Sequence, residues 1–219
     1  MRLVKLGASV RIGVLFGAVF GAATSLVNAT SNHYADLESR VATTSGASAI
    51  EIVSVMIDSG WAWAGLAVAM GWLMARTMGG DPGERTSRPL VRGAVAGAVA
   101  LLAATAAYAF VDTVWRGEPL LSWYLSESPI WWVAGVVLGA PLGAVGACAV
   151  RPGAIGLLAR MVVPVGAAVQ MVVLPPGRNE RITTIGQTVV WTLAALFVGF
   201  VGARFLSGRR SAPPVPEPE

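Results

Sequence analysis

Charge divides this chain more sharply than any motif does. No Asp, Glu, Lys or Arg occurs in 12–35, 59–75, 93–111, 128–150, 161–177 or 182–203. Each of these six windows reaches the about 17–25 residues a helix needs to cross a hydrocarbon core about 30 Å thick. The second window shows why no soluble helix fits. In SGWAWAGLAVAMGWLMAR, residues 59–76, no polar face exists at any helical spacing before Arg76 closes the run. Charged residues make up 13% of the chain, against about 25% in soluble domains. The pattern predicts an all-α fold, a six-helix transmembrane bundle with both termini cytoplasmic. Spans are expected at 11–29, 55–76, 92–115, 129–150, 155–176 and 183–204. They form one membrane domain, 1–206, before a disordered, Pro-rich cytoplasmic tail at 207–219.

Arginine and lysine set the threading, because cytoplasmic loops hold them in excess. With the N-terminus inside, the inner segments carry Arg2, Lys5, Arg11, Arg76, Arg85, Arg88, Arg92, Arg151, Arg160, Arg204, Arg209 and Arg210. The outer ones carry Arg40, Arg116, Arg178 and Arg181. The net charge of +4 is therefore read as a membrane signature and not as a nucleic-acid footprint. Most tryptophans, Trp61, Trp63, Trp115, Trp123, Trp131, Trp132 and Trp191, fall at outer helix ends, and Trp72 at an inner one. Indole rings favour the headgroup level, so an interfacial belt is expected. The alternation of inner arginines and outer tryptophans follows from these two rules without internal duplication.

The start resembles a signal peptide in part, with Lys5 and Arg11 before an apolar run and Val27-Asn28-Ala29 as a small-residue site. The run is long for a signal, and an uncleaved first helix is expected. An outer loop is expected from about 30 to 48. Ser48-Ala49-Ile50-Glu51 has the spacing of a capping box, so a helix should start near Ala49. It either continues past Asp58 or breaks at Ser59-Gly60. A turn is expected at Gly79–Gly83, a short interfacial helix within Leu120–Ser126, and a tight turn at Gly177–Arg181.

Glycines carry the packing signal. Gly13, Gly17 and Gly21 lie four apart in the first span, as do Gly135, Gly139 and Gly143 in the fourth, and Gly93 and Gly97 in the third. That spacing puts them on one helix face, where backbones can approach closely. Contacts within the chain are favoured over a dimer face. Pro141 and Pro164 sit inside the fourth and fifth spans, where each removes a backbone donor and should bend its helix.

Polar residues inside spans are costly and mark candidate sites. They gather in the outer half. Thr24 and Asn28 share a face with Gly17 and Gly21; Thr105, Tyr108, Asp112 and Trp115 share one in the third span. A candidate outer pocket comprises Asp58, Tyr108, Asp112, Gln170 and Gln187, with Arg40 or Arg116 available as structural partners for the acids. Arg160 enters its span by about 9 Å and should snorkel to the headgroups. Cys148 is alone, so no intrachain disulfide forms. His33 has no second His or Cys to build a metal site. No catalytic residue, metal or cofactor is expected, and a P-loop and HExxH are both absent.

GWAWAGLAVAMGWL, LGAPLGAVGACAVRPGAIGLLAR and VVPVGAAVQMVVLPPG together resemble an uncharacterised family of actinobacterial multi-pass integral membrane proteins, over residues 10–205. The resemblance implies a bacterial plasma membrane and carries over no functional residue. The leading expectation is a non-enzymatic integral membrane protein with an accessory or packing role. Its partners would be the bilayer, another membrane protein or a second copy of itself, and no nucleic acid. A small transporter or channel using the outer pocket is the alternative. An intramembrane enzyme acting on lipid-linked substrates is the third.

Overall fold

The computed structural model describes residues 2–37, 48–78, 87–124, 128–175 and 180–210. Among them every regular element is helical. The helices are α1 (Arg2–Leu37), α2 (Ala49–Ile57), α3 (Gly60–Met78), α4 (Ser87–Trp115), α5 (Ser128–Cys148), α6 (Gly153–Val173) and α7 (Glu180–Arg210), with a 3₁₀ turn at Leu120–Tyr124 between α4 and α5. Five of them are long and apolar enough to span a membrane, and the bent pair α2–α3 makes a sixth span if counted as one. The chain is therefore an all-helical integral membrane protein.

Several boundaries differ from expectation. Helix α1 runs through Leu37, into the stretch expected to be loop. At 36 residues it is about 54 Å long, well beyond a bilayer core, so it must project from the membrane. Helix α7 continues through Arg210, past the expected end of the membrane domain at 206. The rest of the expected tail lies outside the described residues, as do the expected turns at Gly79–Gly83 and, in its larger part, Gly177–Arg181. The expected interfacial helix is the 3₁₀ turn.

The α2–α3 break has a local cause. Ser48 caps α2: its hydroxyl accepts from the Glu51 amide, and the Glu51 carboxylate accepts from the Ser48 amide at 2.9 Å. At the other end the Asp58 amide still donates to Ser54, but Ser59 turns its hydroxyl back onto the Val55 carbonyl. Gly60 then restarts the helix at a bend of 57°.

Helix α4 is the hub, packed on α1, α3 and α5. Its contact with α1 is a seam of small residues. A Cβ added at Gly13 would stand 3.1 Å from the Ala96 carbonyl oxygen; at Gly17 and Gly21 it would collide with the backbones of Ala100 and Ala104. Partners advance by four along both helices, so α1 and α4 run parallel. On the other side of α4, Gly93 and Gly97 meet Gly143 and Gly139 of α5, and Gly71 of α3 also meets Gly143. Gly135 makes only ordinary contacts with Leu101 and Leu102. Met70 and Met74 of α3 fill the space against Ala96 and Ala100, all four buried. Helices α6 and α7 form a hairpin that joins this block through α3, α5 and α2.

Candidate functional site

The parallel seam between α1 and α4 ends in a polar knot. One helical face of α1 carries Gly17, Gly21, Thr24 and Asn28 in succession, and Thr24 returns its hydroxyl to the Phe20 carbonyl. Asn28 lies buried and bonds across helices instead. Its Nδ2 donates to Asp58 Oδ2 at 2.9 Å and to Tyr108 Oη at 3.1 Å. Its carbonyl accepts from the Ser54 hydroxyl at 2.6 Å. Both amide donors are thus used, and one of the carbonyl's two lone pairs. A single side chain fastens α1, the end of α2, the α2–α3 break and α4. Trp63 of α3 roofs the knot, its ring edge-on to Phe20 at 5.5 Å and tilted onto Tyr108 at 6.2 Å. Asp58 itself is exposed at the break.

The five residues of the expected outer pocket fall into four separate contacts. Asp58 and Tyr108 are brought together through Asn28. Asp112 lies a turn further along α4 and pairs with Arg116 at 3.0 Å, at the surface. Gln170 of α6 accepts from the Trp61 amide at 2.8 Å. That amide is one of the orphan donors of the first turn of α3, which Ser59 does not cap with its side chain. Gln187 of α7 donates to the Met171 carbonyl at 2.8 Å, at the last turn of α6, and Trp191 donates to Ala168 at 3.2 Å. These bonds hold the hairpin closed and tie it to α3.

The tryptophans divide likewise. Trp115, Trp131 and Trp191 are exposed, as a belt requires, whereas Trp63 turns inward. Sequence reasoning passed over Ser54 and placed Trp63 in the belt. Asn28 carried a signal, its place on the glycine face, whereas Ser54 carried none, because its partner depends on how α2 packs against α1.

A second feature lies beside the knot. A half-open crevice of about 580 Å³ separates α3 from α6 and α7. Small residues on its walls, Gly65, Ala69, Ala167 and Ala194, leave the space unfilled. Trp61 borders it at one end; Trp72 and Arg160 border the other. The Arg160 guanidinium reaches back to the turn after α5, where its Nε donates to the Ala149 carbonyl at 2.8 Å. Arg76 lies over the Trp72 ring, 5.1 Å from its centroid. No carboxylate lines the crevice. Among the described residues no cluster of His, Cys, Asp and Glu is disposed to hold a metal ion.

Comparison with models of known protein families, with curated proteins and with solved structures returned no match.

Proposed function

We propose that this chain is a non-enzymatic, six-span protein of a bacterial plasma membrane, with both termini cytoplasmic, that serves as an accessory to another membrane component. The observation that carries the reading is the employment of its intramembrane polar groups. Asn28, Gln170 and Gln187 all bond across helices, to side chains or to backbone groups at helix ends. Such bonds are the glue of membrane bundles, each contributing about 0.6 kcal/mol on average. Groups so engaged build a frame. The threading follows from the arginine distribution, which puts Arg76, Arg92, Arg151 and Arg204 in the cytoplasm. The actinobacterial resemblance supports the choice of membrane.

One observation favours the transporter reading as an alternative. Helices broken at a polar residue build the substrate sites of many transporters, and Asp58 stands in the α2–α3 break. One experiment separates the two. Wild-type chain and Asp58→Asn are reconstituted in liposomes with a pH-sensitive dye, and their thermal unfolding is followed. The frame reading expects no flux from either and a lower midpoint for the variant. Proton or cation flux that disappears in Asp58→Asn at unchanged stability overturns it in favour of transport. Reporter fusions at Asp81 and after Glu219 test the threading, and both should report the cytoplasm.

A further inference from the structure

We propose that the crevice between α3, α6 and α7 binds one anionic glycerophospholipid, its phosphate on Arg160 and one acyl chain along Val163, Pro164 and Leu193. Dimensions come first. Between Trp61 and Trp72 the crevice follows α3 for eleven residues, about 16 Å of helix rise. That is about half of a hydrocarbon core about 30 Å thick, the depth of one leaflet. Its volume, about 580 Å³, lies within the about 300–1,000 Å³ of ligand pockets. Interiors of proteins pack densely, and a lipid-facing void of this size holds hydrocarbon.

Charge then decides which lipid. Arg160 uses Nε on Ala149, and its two terminal nitrogens have no partner among the described residues. A guanidinium fork matches phosphate oxygens in number and geometry. Arg76, held on Trp72, adds a second positive charge at the same mouth, and no acid in the lining opposes either. Basic sites between spanning helices select anionic headgroups. The proposal is independent of the accessory reading, since a transporter with this crevice would bind the same lipid.

The test uses the purified full chain in phosphatidylcholine nanodiscs. Phosphatidylglycerol or phosphatidylcholine with the same brominated chains is added, and tryptophan quenching is read. Half-quenching should occur at an about fivefold lower fraction of phosphatidylglycerol, the ratio set by one arginine near a headgroup. Arg160→Gln should erase that difference and Arg160→Lys keep part of it. Gly65→Leu acts from the opposite wall. Its Cβ would stand 3.7 Å from Val163, an ordinary contact, so the helix accepts it while the leucine fills the crevice. Quenching by both lipids should fall. Excess sn-glycerol 3-phosphate in the water should relieve none of it. Equal quenching by the two lipids in the wild type overturns the proposal, as does a preference that survives Arg160→Gln. Relief by glycerol phosphate would leave only a surface anion site. A dimer that Gly65→Leu dissociates would put a second copy in the crevice instead.

Discussion

Glycine means opposite things in the two parts of this molecule. In the block formed by α1, α3, α4 and α5, an added Cβ at Gly17, Gly21, Gly71, Gly97, Gly143 or Gly146 would strike a neighbouring backbone. In the α6–α7 hairpin, a Cβ at Gly166, Gly186, Gly199 or Gly202 would meet nothing within 4 Å. The block is welded by close approach of bare backbones, so dispersion between main chains replaces the hydrophobic drive that lipid cannot supply. The hairpin is held by larger side chains, Met171 and Val190 against Met56 and Trp61, and by the bonds of Gln187 and Trp191. Exposure follows the same division. Buried residues make up 28% of the spanning window in α1, α4 and α5 but 22% in α6 and 11% in α7.

The largest expected effect breaks the weld. Gly21→Ala puts a methyl against the Ala104 carbonyl, a backbone obstacle with no rotamer to yield. Overpacking typically costs about 1–3 kcal/mol, and this site should fall at or above the upper end. Thermal unfolding in detergent, followed by gel filtration, should show a lower midpoint and an aggregating fraction. A change below about 1 kcal/mol would mean that α1 slides freely on α4 and that the seam is loose.

Next comes the knot at the end of that seam. Asn28→Leu keeps the branched shape of the side chain and removes three side-chain bonds. At about 0.6 kcal/mol each, the loss is about 2 kcal/mol. Asn28→Ser should fall between, since a hydroxyl can reach one partner at most. Hydrogen exchange should quicken around Ser54 and Asp58, whose partner is lost. Exchange confined to α6 and α7 would contradict the placement of the knot within the block.

The link between the two parts should yield a smaller effect. Gln170→Leu uncaps the first turn of α3, where the lost bond to the Trp61 amide contributes about 0.5–2 kcal/mol in comparable caps. Faster exchange of the Trp61 amide, with the α1–α4 seam unaffected, would show that the hairpin docks onto the block without stabilising it.

The spanning helices were legible because lipid imposes a rule on every residue: no charge, and enough length to cross. The packing glycines were legible where they repeat, as Gly13, Gly17 and Gly21 do. Gly71 and Gly146 lack that repeat, and only the crossing of α3 over α5 gives them their partners. The polar residues were visible as a depth class, but their partnering was not. Asp58 meets Asn28 because the chain bends by 57° between two hydroxyl-bearing residues, Ser54 and Ser59. A bend of that kind arises when a side-chain donor, here the Ser59 hydroxyl, competes with main-chain N–H groups for a helix carbonyl, and no periodicity announces it. The length of α1 was hidden for a related reason. Beyond Ala29 its residues are mostly polar, and hydropathy alone cannot separate a projecting helix from a loop.

The smallest expected effect is the sharpest test of the comparison. Gly199 lies on α7, exposed, with open space where a side chain would stand. Gly199→Ala therefore removes no contact and gains helix propensity, about 0.5–1 kcal/mol in favour of the folded state. In detergent the unfolding midpoint should rise slightly or stay level, in contrast to Gly21→Ala. The same variant in native membranes asks a different question. If its abundance there falls while purified stability holds, the open face of α7 is covered in the cell by a helix of another chain, and Gly199 packs against that helix as Gly21 packs against Ala104. If abundance is unchanged, lipid alone covers α7, and Gly199 does not pack at all.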